Sequence, residues 1–141
     1  WPGPLTIVAP AAASGRTCDL ARAGLDTIAL RVPAHPVAQA LLEAFGGPLS
    51  APSANPSGKL SPTRAEDVAR ELGEEVALVL DGGPCSAGIE STIVSLLPGE
   101  PARLLRPGAI DRCDIEAIVG PLAGPDRGAT ASWRRSWPAG S

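Results

Sequence analysis

Sixteen prolines and sixteen glycines punctuate a chain of 141 residues, leaving only short apolar runs between them. Proline removes an amide donor and fixes its backbone, and glycine stops helices, so such clusters end elements. The segments between them therefore define the fold. Residues 5–9 (LTIVA) and 27–32 (TIALRV) read as strands, separated by a loop with a turn at Ala23-Gly24. Residues 76–80 (VALVL) form a continuous apolar run, the pattern of a strand covered on both faces. Residues 91–97 and 102–105 read as two further strands. The tight Pro98-Gly99 turn between them makes that pair antiparallel.

Two or three helices accompany these runs. Pro36 suits a first-turn position, and Val37, Ala38, Leu41, Leu42 and Phe45 follow at helical spacing up to Gly46-Gly47. Thr63 with Glu66 reads as a capping box opening a helix to Leu72, ended by Gly73. A short helix closes the region within Ile110–Val119. Strands interspersed with helices predict an α/β fold, a twisted mixed sheet with flanking helices. An apolar content of 44% supplies its core. We expect one domain over residues 1–120. Residues 121–141 lack apolar periodicity and are expected to be a disordered tail.

The net charge of −3 argues against a general nucleic-acid surface. Four aromatic residues, Trp1, Phe45, Trp133 and Trp137, make no stacking platform. Cys18, Cys85 and Cys113 share no CxxC spacing and, with the lone His35, offer no zinc site, so no metal ligands are assigned. Free thiols suit a reducing, cytoplasmic setting. No apolar run approaches the ~20 residues that span a bilayer, so no membrane partner is expected. The chain opens at Trp1 and contains no Met, and we read it as a fragment of a longer protein.

The usual catalytic equipment is missing: no Ser/His/Asp arrangement, no HExxH and no phosphate-binding GxxxxGK[ST], so no catalytic residue is assigned. Three loops rich in hydroxyls and small residues stand out instead: residues 51–58 (APSANPSG), 61–63 (SPT) and 88–92 (GIEST). Small side chains let backbone amides approach a phosphate or carboxylate, and a helix start near Ser61 adds its positive end. Together they point to an anion or nucleotide pocket. Arg31 and Arg106 sit in or beside strands, where a guanidinium serves either an internal acid, such as Glu90, or a ligand carboxylate or phosphate.

The segments WPGPLTIV, GLDTIALRVPAHPVAQALL, PLSAPSANPSGKLSPT, LDGGPCSAGIESTIVSL and LLRPGAI, in this order, resemble the threonylcarbamoyl-AMP synthase (YrdC-like) family over roughly residues 1–120. The resemblance implies a YrdC-like fold, incomplete at its N-terminus. Members carry, before the WPGP stretch, a threonine-rich strand motif and a Lys/Arg pair for ATP. It also implies a nucleotidyltransferase that forms threonylcarbamoyl-AMP and pyrophosphate from L-threonine, bicarbonate and ATP with Mg2+. The product would serve a downstream threonylcarbamoyltransferase complex in tRNA threonylcarbamoyladenosine modification. By the family pattern, Thr27, Ser53, Ser61 and Arg106 would contact ATP, and Arg31, Ala51 and Ser91 would contact L-threonine. Asn55 and Thr92 are nearby second choices. Longer members carry a second domain, whose linker signature residues 121–141 do not show. Three competing readings are a carbamoyltransferase of hydrogenase maturation, a non-catalytic double-stranded RNA or tRNA-binding module with weak tRNA binding, and an inactive fragment of the enzyme.

Overall fold

A computed structural model of the chain describes residues 1–12, 17–56, 58–86 and 88–124. They form two compact units, the first from residues 1–34 with 89–124 and the second from residues 35–88.

The first unit is built on a four-stranded mixed sheet. Its strands are β1 (Leu5–Pro10), β2 (Thr27–Leu30), β3 (Thr92–Ser95) and β4 (Arg103–Arg106), in the order β2-β1-β3-β4. β1 runs antiparallel to β2 and parallel to β3, and β3 runs antiparallel to β4, as the Pro98-Gly99 turn requires. Side chains alternate between the faces of a strand. Val94 and Leu104 therefore point to the face covered by helix α3 (Arg112–Val119), where they pack with Ile115 and Leu122. Leu5, Leu96, Ala102 and Ile110 border that core.

Leu122 and Ala123 correct the tail expected from residue 121. Leu122 is 4% exposed, and Ala123 bridges Arg103, so residues 121–124 close the core. The remaining residues of that segment lie outside those described.

The second unit holds helices α1 (Pro36–Phe45) and α2 (Ala65–Leu72). His35 caps α1: its Nδ1 accepts from the Val37 amide at 3.3 Å. Gly46, at φ 71°, ends the helix in a left-handed turn that glycine adopts without strain.

Two expectations fail in this unit. The capping box does not form, because α2 starts at Ala65 with Arg64 as its N-cap and no side-chain cap bond. Thr63 lies one position too early, and its carbonyl accepts from the Cys85 amide at 2.9 Å. Nor do residues 76–80 form a strand. Leu78 is 74% exposed, and the described sheet contains no partner for this run.

Candidate functional site

In the first unit, the sheet face opposite α3 collects the polar residues. Ser91 lies just before β3, and its Oγ is 2.8 Å from Thr6 Oγ1 of β1. Arg106 closes β4 beside it. Its Nε and Nη2 donate to the Ser91 carbonyl at 3.0 and 2.9 Å, and Nη2 also donates to Ser91 Oγ at 3.0 Å. Arg106 Nη1 donates to Glu90 Oε2 at 2.6 Å. Ser91 is 7% exposed, so these contacts form a largely shielded node.

A bulge makes this arrangement feasible. Leu104 and Arg106 are two residues apart and would share a face in a regular strand. The β3–β4 register shifts between Ile93 and Val94: Ile93 pairs with Arg106, but Val94 pairs with Leu104. The extra residue lets Leu104 enter the core while Arg106 turns to the polar face. Re-aiming a side chain is what a bulge does.

Three contacts hold the chain after Arg106 against Ser91. The Ala109 amide donates to the Glu90 carbonyl at 3.2 Å. Thr92 Oγ1 donates to the Ile110 carbonyl at 2.9 Å and accepts from its amide at 3.0 Å. Gly108 passes so close that a Cβ there would lie 2.4 Å from both the Glu90 carbonyl oxygen and the Thr92 amide nitrogen.

Thr92 is thus unsuited to its second-choice role as a ligand contact. It is fully buried and its hydroxyl is used within the fold. Thr6, Thr92 and Gly108 are positioning residues that the sequence reading missed as such. Their importance comes from partners 85, 18 and 16 or more residues away, and nothing local signals it.

Arg31 follows β2 on the same face as Ser91 and Arg106, by alternation from the Val8–Ala29 pair. Its Nε donates to the Gly3 carbonyl at 3.1 Å, and the Gly3 amide donates to the Val32 carbonyl at 2.8 Å. Among the described residues its terminal nitrogens have no partner. The two arginines therefore separate: Arg106 takes Glu90 as an internal acid, and Arg31 presents its fork outward. Thr27 shares the face of Arg31 but pairs with Pro10 at the far end of the β1–β2 ladder. Four residues of strand, about 13 Å, separate it from Arg31.

In the second unit, a cavity of about 410 Å³ is lined by Ser61, Thr63, Arg64, Val68, Leu78 and Cys85, among others. That volume falls within the range of small-molecule sites. Ser61 donates to Asn55 Oδ1 at 3.3 Å, and Asn55 Nδ2 donates to the Pro56 and Lys59 carbonyls at 3.0 and 3.1 Å. Asn55 thus folds the loop that carries Ser61. Ala51 and Ser53 lie exposed on the extended stretch before it and do not line the cavity. On its other side, His35 Nε2 lies 3.1 Å from the Gly82 carbonyl, fastening the loop that lines the cavity through Gly82 and Gly83. Among the described residues no three His, Cys, Asp or Glu side chains gather to hold a metal ion.

A family model described as Telomere recombination, covering Sua5, YciO and YrdC proteins, matches residues 1–108. The chain belongs to this Sua5/YciO/YrdC family. Threonylcarbamoyl-AMP synthase of Bacillus subtilis is 48% identical over 122 residues, covering 86% of this chain and 35% of the relative. The crystal structure of Pyrococcus abyssi Sua5 complexed with L-threonine superposes with a TM-score of 0.82 at 42% identity, covering 89% of this chain and 36% of that one. Escherichia coli YciO matches with a TM-score of 0.67 at 29% identity, covering 79% of this chain and 53% of that structure. The mixed α/β sheet is therefore YrdC-like, as the motifs implied. The chain spans about a third of the length of the Bacillus and Pyrococcus relatives.

Proposed function

We propose that this chain carries part of the site of a threonylcarbamoyl-AMP synthase, with L-threonine, bicarbonate and ATP as substrates. The observation that carries the reading is the shared sheet face of Arg31, Ser91 and Arg106, in a family whose relatives bear that enzyme's name. The Pyrococcus structure with L-threonine supports threonine as one substrate.

In this reading the outward fork of Arg31 takes the threonine carboxylate through parallel charge-assisted hydrogen bonds. Ser91 adds a threonine contact on the same face, and Arg106 compensates phosphate charge. The family pattern further assigns Ala51 to threonine and Thr27, Ser53 and Ser61 to ATP. The threonine amine adds to carbon dioxide derived from bicarbonate and loses a proton, giving a carbamate. A carbamate oxygen attacks the α-phosphorus, the α–β anhydride bond breaks, and pyrophosphate departs with the bonding electrons. Catalysis rests on positioning and charge stabilisation, which arginines and backbone amides supply without a triad.

Mg2+ fits as an ion carried by the ATP phosphates, since magnesium commonly takes few protein ligands and keeps phosphate oxygens and water. It would neutralise phosphate charge. The exposed free thiols Cys18, Cys85 and Cys113 suit a reducing compartment, so the cytoplasm is the proposed location. No described helix is long and apolar enough to cross a membrane. The adenylate would pass to a complex that transfers the threonylcarbamoyl group to tRNA. Pyrophosphate release that requires both L-threonine and bicarbonate tests the reading. Release without them, or with carbamoyl phosphate in their place, contradicts it.

A further inference from the structure

Arg106 is fastened at one end and contested at the other. Nε and Nη2 are committed to Ser91, whose carbonyl and hydroxyl fix the guanidinium plane. Nη1 is the terminal nitrogen that Ser91 does not use, and the Glu90 carboxylate holds it. The structural work of residue 90 is done by its backbone, whose carbonyl accepts from Ala109 and packs against Gly108. The Glu90 side chain is 57% exposed, while that of Arg106 is 24% exposed. A half-solvated carboxylate on a flexible stem is easily released, because exposed ion pairs contribute little.

We propose that Glu90 is a built-in competitor for the anion that Arg106 binds. It holds Nη1 until a phosphate oxygen replaces it, and it lowers affinity for every anionic ligand at that nitrogen. This rests on the reading of Arg106 as a phosphate contact. A positioning role for Glu90 would have the opposite sign, since its loss would then weaken binding. Ser91 already fixes Arg106, so the competitor role is the one that the geometry supports.

The experiment is a calorimetric titration of the full 141-residue chain with ATP, without added magnesium. It compares the unaltered chain, Glu90→Gln, Arg106→Gln and the double variant, and circular dichroism checks each fold. Arg106→Lys is the second variant should Arg106→Gln not fold. Glu90→Gln is expected to lower the ATP dissociation constant roughly two- to five-fold, the scale of an exposed ion pair. In the Arg106→Gln background that gain disappears. Unchanged or weaker binding by Glu90→Gln overturns the competitor role, as does an equal gain without Arg106. If neither Arg106 variant alters ATP binding, the phosphate reading of Arg106 fails, and the role of Glu90 fails with it.

Discussion

Arg106 donates three hydrogen bonds to Ser91, two to its carbonyl and one to its hydroxyl, across the mouth of the β3–β4 pair. This joins a proposed phosphate contact to a proposed threonine contact through one residue. Ser91→Ala keeps the two carbonyl bonds but removes the hydroxyl shared with Thr6 and Arg106. A buried hydrogen bond contributes about 1 kcal/mol net. Ser91→Ala is expected to raise the threonine KM several-fold and to cost about 1 kcal/mol in chemical denaturation, near the net contribution of such a bond.

Gly108 lets the chain after Arg106 lie directly on the Glu90–Thr92 backbone. An added methyl would meet main-chain atoms, which cannot rotate aside. Gly108→Ala is expected to destabilise the protein by about 1–3 kcal/mol, the scale of overpacking. It should also lower ATP affinity by displacing Arg106. Thermal unfolding and ATP titration measure the two effects separately.

Thr92 satisfies both main-chain groups of Ile110 with one hydroxyl. Thr92→Val keeps the shape and leaves the part-buried Ile110 amide and carbonyl without this partner, at a cost of about 1–3 kcal/mol. Denaturant unfolding checks it. A neutral result would show that the turn does not depend on this hydroxyl.

Much of this architecture was legible in the sequence. Among the described residues, the four strands and helix α1 follow from apolar runs and their Gly/Pro boundaries, and the Pro98-Gly99 turn gives the antiparallel pair. Helix α2 was expected from a capping box that does not form, although Gly73 ends it where expected. The run at residues 76–80 misled because a continuous apolar stretch does not itself distinguish a covered strand from other apolar segments. Thr63 misled because the capping pattern fits its spacing to Glu66, while the helix starts one residue later, with Arg64 at the N-cap. The motifs also pointed to Arg31, Ser91 and Arg106, which the fold places on one face. What stayed hidden was the bulge that turns Arg106 outward, and the supports from Thr6, Thr92 and Gly108. These are long-range relations that no local pattern encodes.

Glu116 gives a pH-dependent handle far from this face. The Leu122 amide, foremost, and the Arg112 guanidinium both donate to its carboxylate and hold its pKa below the ordinary value. A lowered folded-state pKa adds stability above the unfolded pKa, and that stability is lost as pH falls through the folded one. Unfolding measured on acidification through and below the usual carboxylate range should therefore show a loss that Glu116→Gln removes. An identical pH profile for both proteins would contradict this.

In the proposed function, Arg31 grips the threonine carboxylate on the face where Arg106 meets phosphate. Steady-state pyrophosphate release, with threonine and ATP varied in turn, tests it on Arg31→Ala. Charge-assisted hydrogen bonds contribute about 1.5–3 kcal/mol, so the threonine KM should rise roughly 10- to 100-fold. The ATP KM should stay within about two-fold, because uniform binding lost at one substrate leaves the other's contacts in place. An equal rise for both substrates, or a rise for ATP alone, would rule out Arg31 as the threonine carboxylate contact.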